Sequence, residues 1–156
     1  IFLDIGLMNR MCGVSWQDIS QADGTRLIND GALAEQFVGQ HLLSASKGYE
    51  TPSLYYWLRE KRSSNAEVDF VISLGKHIVP IEVKAGKSGT LKSLLQFANS
   101  KKTTHAVRFD LNKPSLQNIQ HDLKHENEVV QVSYQLLSLP LYLTEQLTRL
   151  FESLEK

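Results

Sequence analysis

Asp69 is followed, after twelve intervening residues, by Glu82-Val83-Lys84. Two carboxylates and an ammonium group at that spacing become neighbours if the chain between them reverses tightly. Gly75-Lys76 can supply the reversal, because glycine adopts the positive φ that two-residue hairpin turns require. A hairpin centred there sets Asp69 opposite Glu82, Glu67 opposite Lys84, Val68 opposite Val83, Phe70 opposite Ile81 and Ile72 opposite Val79. Alternation then puts Asp69, Glu82 and Lys84 on one face, and Val68, Phe70, Ile72, Val79, Ile81 and Val83 on the other. Opposed Cβ atoms lie about 5 Å apart, so the two carboxylates repel. A divalent cation between them, Mg²⁺ or Mn²⁺, removes that repulsion and finds hard oxygen ligands. It would polarise a phosphoryl oxygen and acidify a bound water, with Lys84 orienting the water or steadying phosphate charge. That is phosphodiester hydrolysis. The plainer alternative is a solvated hairpin face on which Glu67 pairs with Lys84 across the strands.

Gly86-Lys87-Ser88, between a strand pattern and a helix pattern, invites comparison with a phosphate-cradling P-loop. That loop needs a glycine five positions earlier so that backbone N–H groups can wrap the phosphates. Ile81 stands there, and Ile81 to Ala85 reads as strand. No nucleotide site is expected in this chain.

The elements that must position these groups follow from periodicity. Leu3, Leu7 and Met11 mark one face of an opening helix, and the start inside an apolar pattern suggests a C-terminal piece of a longer protein. Residues 15–31 are polar and turn-rich, a loop. Asp30 can cap a helix ending near Lys47-Gly48, with Leu33, Ala34, Phe37, Val38, His41, Leu42 and Ala45 as its apolar stripe and Glu35 at the edge. Strands are expected over 53–60, 67–74 and 77–84, then a helix over 90–102 and a strand over 104–110. A polar connection with at most a helical turn follows over 112–126, then a strand over 128–137. Pro140 starts a last helix with Leu143, Leu147, Leu150, Phe151 and Leu154 on one face.

Composition narrows the class. At 156 residues, 42% hydrophobic and 22% charged, the chain fits one globular domain. Lysine plus arginine and aspartate plus glutamate balance at 17 each, so any pull on nucleic acid must come from local clustering. Arg59, Lys61, Arg62, Lys87, Lys92, Lys101 and Lys102 could form a phosphate-contacting rim, or be ordinary solvated side chains. Cys12 is the single cysteine, which excludes an internal disulfide and suits a reducing cytoplasm. No apolar run approaches a membrane span, so no membrane partner is expected. The histidines have no cysteine partners at zinc-site spacing. His41 reads as core or helix edge, and Tyr55, Tyr56 and Trp57 as strand packing.

Asp69, Glu82-Val83-Lys84, a helix and another strand, with Glu35 on an upstream helix, resemble the PD-(D/E)XK nuclease superfamily. The ordered pieces FLDIGL, GALAEQFV, LYYWLRE, AEVDFVI, VPIEVKAGK, LKSLLQF and LPLYL look more narrowly like a domain of unknown function that follows the ATPase domain in bacterial and archaeal AAA-type ATPases. The resemblance implies an α/β fold with a PD-(D/E)XK (restriction endonuclease-like) core at about 30–110, a central mixed sheet flanked by helices, and helical additions at 1–25 and 140–156. It implies Asp69 and Glu82 as metal ligands, the Val83 carbonyl as a third, Glu35 completing the shell, and Lys84 serving the attacking water. Val68 stands where the superfamily's name places a proline, and Gln96 is only a loose match to the glutamine of its exonuclease branch. The implied function is a metal-dependent DNA nuclease attached to an ATPase, with DNA and the ATPase domain as partners; a separate reading is an oligomerisation domain that pairs with a second copy of the chain through its apolar terminal helices. The alternative is a catalytically silent module that binds nucleic acid or a partner for that ATPase.

Overall fold

The computed structural model of the chain describes residues 1–21, 30–46, 51–60, 65–86, 89–125 and 128–154. Helices α1 (Ile5–Met11), α2 (Trp16–Gln21) and α3 (Asp30–Ser44) lead into strands β1 (Tyr55–Arg59), β2 (Ala66–Leu74) and β3 (His77–Val83). Helix α4 (Lys92–Lys101) then precedes β4 (His105–Asp110), β5 (Ser115–His125) and β6 (Glu128–Pro140), followed by a 3₁₀ helix (Leu141–Gln146) and α5 (Leu147–Leu154). The strands form one six-stranded mixed sheet in the order β1-β2-β3-β4-β6-β5. β4 lies parallel to both β3 and β6, and the other neighbours are antiparallel.

Alternation along the inner strands gives the sheet two apolar faces. Val79, Ile81 and Val83 of β3, Val107 and Phe109 of β4, and Leu137 and Leu139 of β6 bury against Ala34 and Val38 of α3 and Leu147 and Phe151 of α5. Ala106, Val132, Tyr134 and Leu136 face the other way, onto Leu94, Leu95, Phe97 and Ala98 of α4. Pro80 lies inside β3, where its missing N–H would leave a ladder bond unmade. It is tolerated because the parallel pairing with β4 begins only at Ile81.

Several expectations change. The polar stretch expected as a connection is β5, paired with β6 from Ser115↔Ser138 to His125↔Glu128. It lies at the sheet edge, and among its described side chains only Ser115, Ile119 and Leu123 are half-buried, on its inner side. Backbone pairing rather than an apolar pattern makes it a strand. Polar side chains also suit an edge that must not recruit further strands. Part of the expected loop is α2, started by a capping box: Ser15 Oγ accepts from the Asp18 N–H at 3.2 Å, and Asp18 Oδ2 accepts from the Ser15 N–H at 2.7 Å. Leu3 precedes α1, whose cap is Asp4, and Leu3, Leu7 and Met11 are exposed rather than buried. Ala45 falls beyond α3 and is exposed. The expected end of that helix at Lys47-Gly48 lies outside the described residues. The final helix begins as the 3₁₀ turn, with Leu147 and Phe151 buried as the spacing implies.

Candidate functional site

The β2–β3 hairpin has the expected register from Leu74↔His77 to Phe70↔Ile81. Beyond that point the strands part. β2 continues with β1 (Trp57↔Val68, Leu58↔Glu67), and β3 continues with β4 (Glu82↔Arg108, Val83↔Phe109). A register shift in β1–β2, from Tyr55↔Val71 to Trp57↔Val68, gives β2 one extra residue. Such a bulge re-aims side chains and bends the strand. Val68 therefore packs with Leu94 and Phe97, not with Phe70 and Ile72 as simple alternation implied. Glu67 pairs by register with Leu58 instead of Lys84.

Asp69 occupies the fork. Its Oδ2 accepts the Val83 N–H at 2.6 Å, a side-chain bond across the parting strands. Lys84 Nζ reaches Glu82 Oε1 at 2.5 Å, while the Lys84 backbone N–H donates to the Phe109 carbonyl at 2.8 Å. The aliphatic stem of Lys84 crosses Gly89, where a Cβ would come within 2.8 Å of Lys84 Cδ. Glu82 is 5% exposed, and its Oε2 is a buried oxygen without a hydrogen-bond partner.

Electrostatics bind Glu35 into the same group. Burial pushes the Glu82 carboxyl up to about 7, the Lys84 hydrogen bond opposes the shift, and the Asp69 and Glu35 charges add to it. Asp69 is raised by burial against the pull of the Val83 N–H and Lys84. Glu35 is raised by partial burial, then by Asp69 and Glu67, although much of its side chain meets solvent. Its helix can come this close because of Gly39, one turn later. A Cβ there would stand 3.0 Å from the Phe70 ring, the residue beside Asp69.

The fold thus brings Glu35, Asp69, Glu82 and Lys84 within electrostatic reach of one another around the fork, with Val83 between the last two. Hard carboxylate oxygens and an orphaned Glu82 oxygen suit Mg²⁺ or Mn²⁺. Among the described residues no three histidine, cysteine, aspartate or glutamate side chains converge into a ready metal cage. Asp69 and Glu82 would therefore hold such an ion only with waters or substrate oxygens completing its shell, which is how Mg²⁺ is commonly bound.

Sequence reading missed a polar row beside Glu82. Arg108 sits next to Glu82 by register, and Ser138 next to Arg108. Arg108 Nε approaches Asp110 Oδ2 at 2.9 Å, in an alignment that does not make a hydrogen bond, and the Ser138 and Tyr134 hydroxyls are buried without partners. Burial raises Tyr134 to about 12, so its hydroxyl keeps its proton. The available signal was the alternation Ala106, Arg108, Asp110 inside an apolar strand.

The four described members of the expected basic rim are spread over β1 and the two ends of α4. Arg59 Nη1 hydrogen-bonds Gln96 Oε1, Lys92 is exposed at the start of α4, and Lys101 and Lys102 lie at its other end. Lys61, Arg62, Lys87 and Ser88 lie outside the described residues. His41 is half-buried, with Nδ1 2.7 Å from Glu145 Oε1.

A family model described as a domain of unknown function, DUF4143, matches residues 30–137. No curated protein and no solved structure matches the chain.

Proposed function

The chain belongs to the DUF4143 family, and from that premise we propose that it is a nuclease-like domain of PD-(D/E)XK type that hydrolyses DNA phosphodiesters with Mg²⁺ or Mn²⁺. The observation that carries the reading is Glu82: a carboxylate almost removed from water, with one oxygen unpartnered and two more carboxylates raising its proton affinity. A cation relieves all three at once. When bound, the ion would polarise the phosphoryl oxygen and acidify a water.

The chain's own residues have separable tasks. Asp69 is oriented by the Val83 N–H and Glu82 by Lys84, so both carboxylates are held before any ligand arrives. Glu35 adds negative charge from the exposed side. Lys84, its stem packed on Gly89, holds its ammonium where an attacking water or phosphate oxygen can meet it. In the intact protein this domain follows an AAA-type ATPase domain, acts in the cytoplasm, and can pair with a second copy.

The test is cleavage of supercoiled plasmid and labelled single and double strands in Mg²⁺ and Mn²⁺. Wild type should cut, while Asp69→Asn, Glu82→Gln and Lys84→Ala should each lose at least about a hundredfold, the scale of a lost general acid–base or charge-stabilising group. Equal cutting by wild type and variants would assign the activity to a contaminant.

A silent, binding-only module is the second reading, and one observation favours it: Lys84 already neutralises Glu82 at Oε1. If that pair substitutes for a cation, the chain neither binds Mn²⁺ nor cuts, and only its binding surfaces have work to do.

A further inference from the structure

Tyr55 and Tyr56 were expected to pack within the sheet, yet they are 64% and 69% exposed on the edge strand β1. Alternation sends their rings to opposite faces of that strand, and both contribute to one wall of a cavity of about 540 Å³ between β1, the β2–β3 turn and the end of α4. Trp57 continues that wall, set edge-on to Phe97 with ring centroids 5.3 Å apart. Three lysines line the rest: Lys76 on the turn, and Lys101 and Lys102 at the end of α4. None of the described residues lining the cavity is acidic.

Flat aromatic surfaces beside ammonium groups select a ligand that has flat rings and regularly spaced negative charge. A duplex keeps its rings stacked on each other, whereas a single strand offers every base for stacking. The location fits as well. Trp57 registers with Val68, beside Asp69, and Lys76 lies on the turn, two residues past the end of β2. From Asp69 to Leu74, at about 3.3 Å per residue, β2 spans roughly 17 Å, room for a few nucleotides.

Lys102 adds a separate observation. It ends α4 in the left-handed conformation, φ 55°, where glycine is the ordinary occupant. Its N–H still closes the helix on the Ala98 carbonyl at 2.8 Å, and Thr103 Oγ1 ties the following turn to the Ile78 carbonyl at 2.9 Å. A lysine kept there, against the backbone preference, puts a charge at the cavity wall.

We propose that this cavity binds single-stranded nucleic acid, with bases stacked on Tyr55 and Tyr56 and phosphates held by Lys76, Lys101 and Lys102, and that the strand runs along β2 toward the carboxylates at the fork. The delivery half of this inference rests on the phosphodiester reading of the fork; the binding half does not.

The experiment titrates a fluorescein-labelled oligothymidylate with the 156-residue chain in EDTA, where no cleavage can occur. Wild type should bind it more tightly than a duplex of equal length. Tyr55→Ala with Tyr56→Ala should weaken binding about five- to hundredfold, the range for loss of base–aromatic stacking, and the phenylalanine pair should restore it. Lys102→Gly relieves the left-handed lysine, so its melting temperature should hold or rise while single-strand affinity falls and the salt slope becomes shallower. Absence of binding by wild type, or unchanged affinity in the alanine pair, overturns the proposal. Wild-type chain, titrated in EDTA and then assayed for cleavage in Mn²⁺, separates the two readings. Binding kept by a chain that never cuts in Mn²⁺ removes the hydrolytic reading and leaves the groove standing. Cutting of a single strand that is equally fast in the tyrosine variants removes the groove instead.

Discussion

Protonation of Glu82 is coupled to folding. Its carboxyl titrates near 7 in the folded chain against 4.5 as an ordinary glutamate, so between those values the native state binds more protons than the unfolded one. Stability must then fall as pH rises through that window and level off above it. Asp69 and Glu35 are raised too and push in the same direction. At 1.36 kcal/mol per pK unit the Glu82 contribution is on the order of 3 kcal/mol. In EDTA the melting temperature should therefore decline from pH 5 to pH 8, and Glu82→Gln should flatten the decline and melt higher than wild type at pH 8. A stability that climbs over this range would show that the carboxylates are paired rather than stranded. Gly89→Ala bears on the same cluster from the other side. Its Cβ displaces the Lys84 stem and weakens the ammonium–Glu82 contact, so the pH-dependent loss should grow. At this scale the nearness of Asp69, Glu82 and Lys84 was legible from a period of two and one glycine turn, whereas the direct pairing of Asp69 with Glu82 was not met, because the ladder ends at Phe70↔Ile81. Tyr134 and Ser138 were not, because their significance lies in partners their hydroxyls lack, and Arg108 was not, because its ion pair with Asp110 sits in a strand that reads as apolar.

Secondary structure was legible wherever one face is apolar and less so elsewhere. β3, β4 and β6 carry alternating apolar side chains that bury, and α4 shows Leu94, Leu95, Phe97 and Ala98 on its buried face. β5 lacks that signature, since Gln117 and His121 occupy inner positions between Ser115, Ile119 and Leu123, so only its eleven pairings with β6 reveal it. The bulge in β2 was hidden for another reason. It depends on how β1 pairs, and one extra residue moves Val68 to the opposite core while leaving the apolar count unchanged. Gly39 is the clearest case of an element set by a missing side chain. Gly39→Leu would drive atoms into Phe70 and Ile1, and overpacking of this kind costs about 1–3 kcal/mol. The same push carries α3, and Glu35 with it, away from Asp69. Chemical denaturation should show the stability loss, and a carbon-detected titration should show the Glu35 pKa moving back down toward its ordinary value. A variant as stable as wild type, with Glu35 unshifted, would mean that the helix is not held by this contact.

Over the whole molecule, the two cores on opposite faces of one sheet carry stability, while the fork between β2 and β3 works against it. Three carboxylates with raised proton affinity are a standing strain that protons relieve at low pH. A divalent cation can relieve it at high pH, and the two compete for the same oxygens. Linkage then fixes the expected pattern. Mn²⁺ at about a hundred times its dissociation constant adds roughly 2.7 kcal/mol to the native state. That gain should be largest near pH 8, where the ion displaces few protons, and should vanish near pH 5, where protons already fill the site. The melting temperature in Mn²⁺ should accordingly be nearly independent of pH, in contrast to its fall in EDTA. Calorimetric titrations near pH 7 in two buffers of different ionisation enthalpy should report protons released as the ion binds, and Asp69→Asn should abolish both the heat and the thermal shift. If Mn²⁺ leaves the wild-type melting curve unmoved at pH 8, the Lys84 ammonium is the only cation the fork accepts. The hydrolytic reading would then fail for a defined physical reason, because the charge that a phosphate-polarising ion would have neutralised is already covalently supplied by the chain.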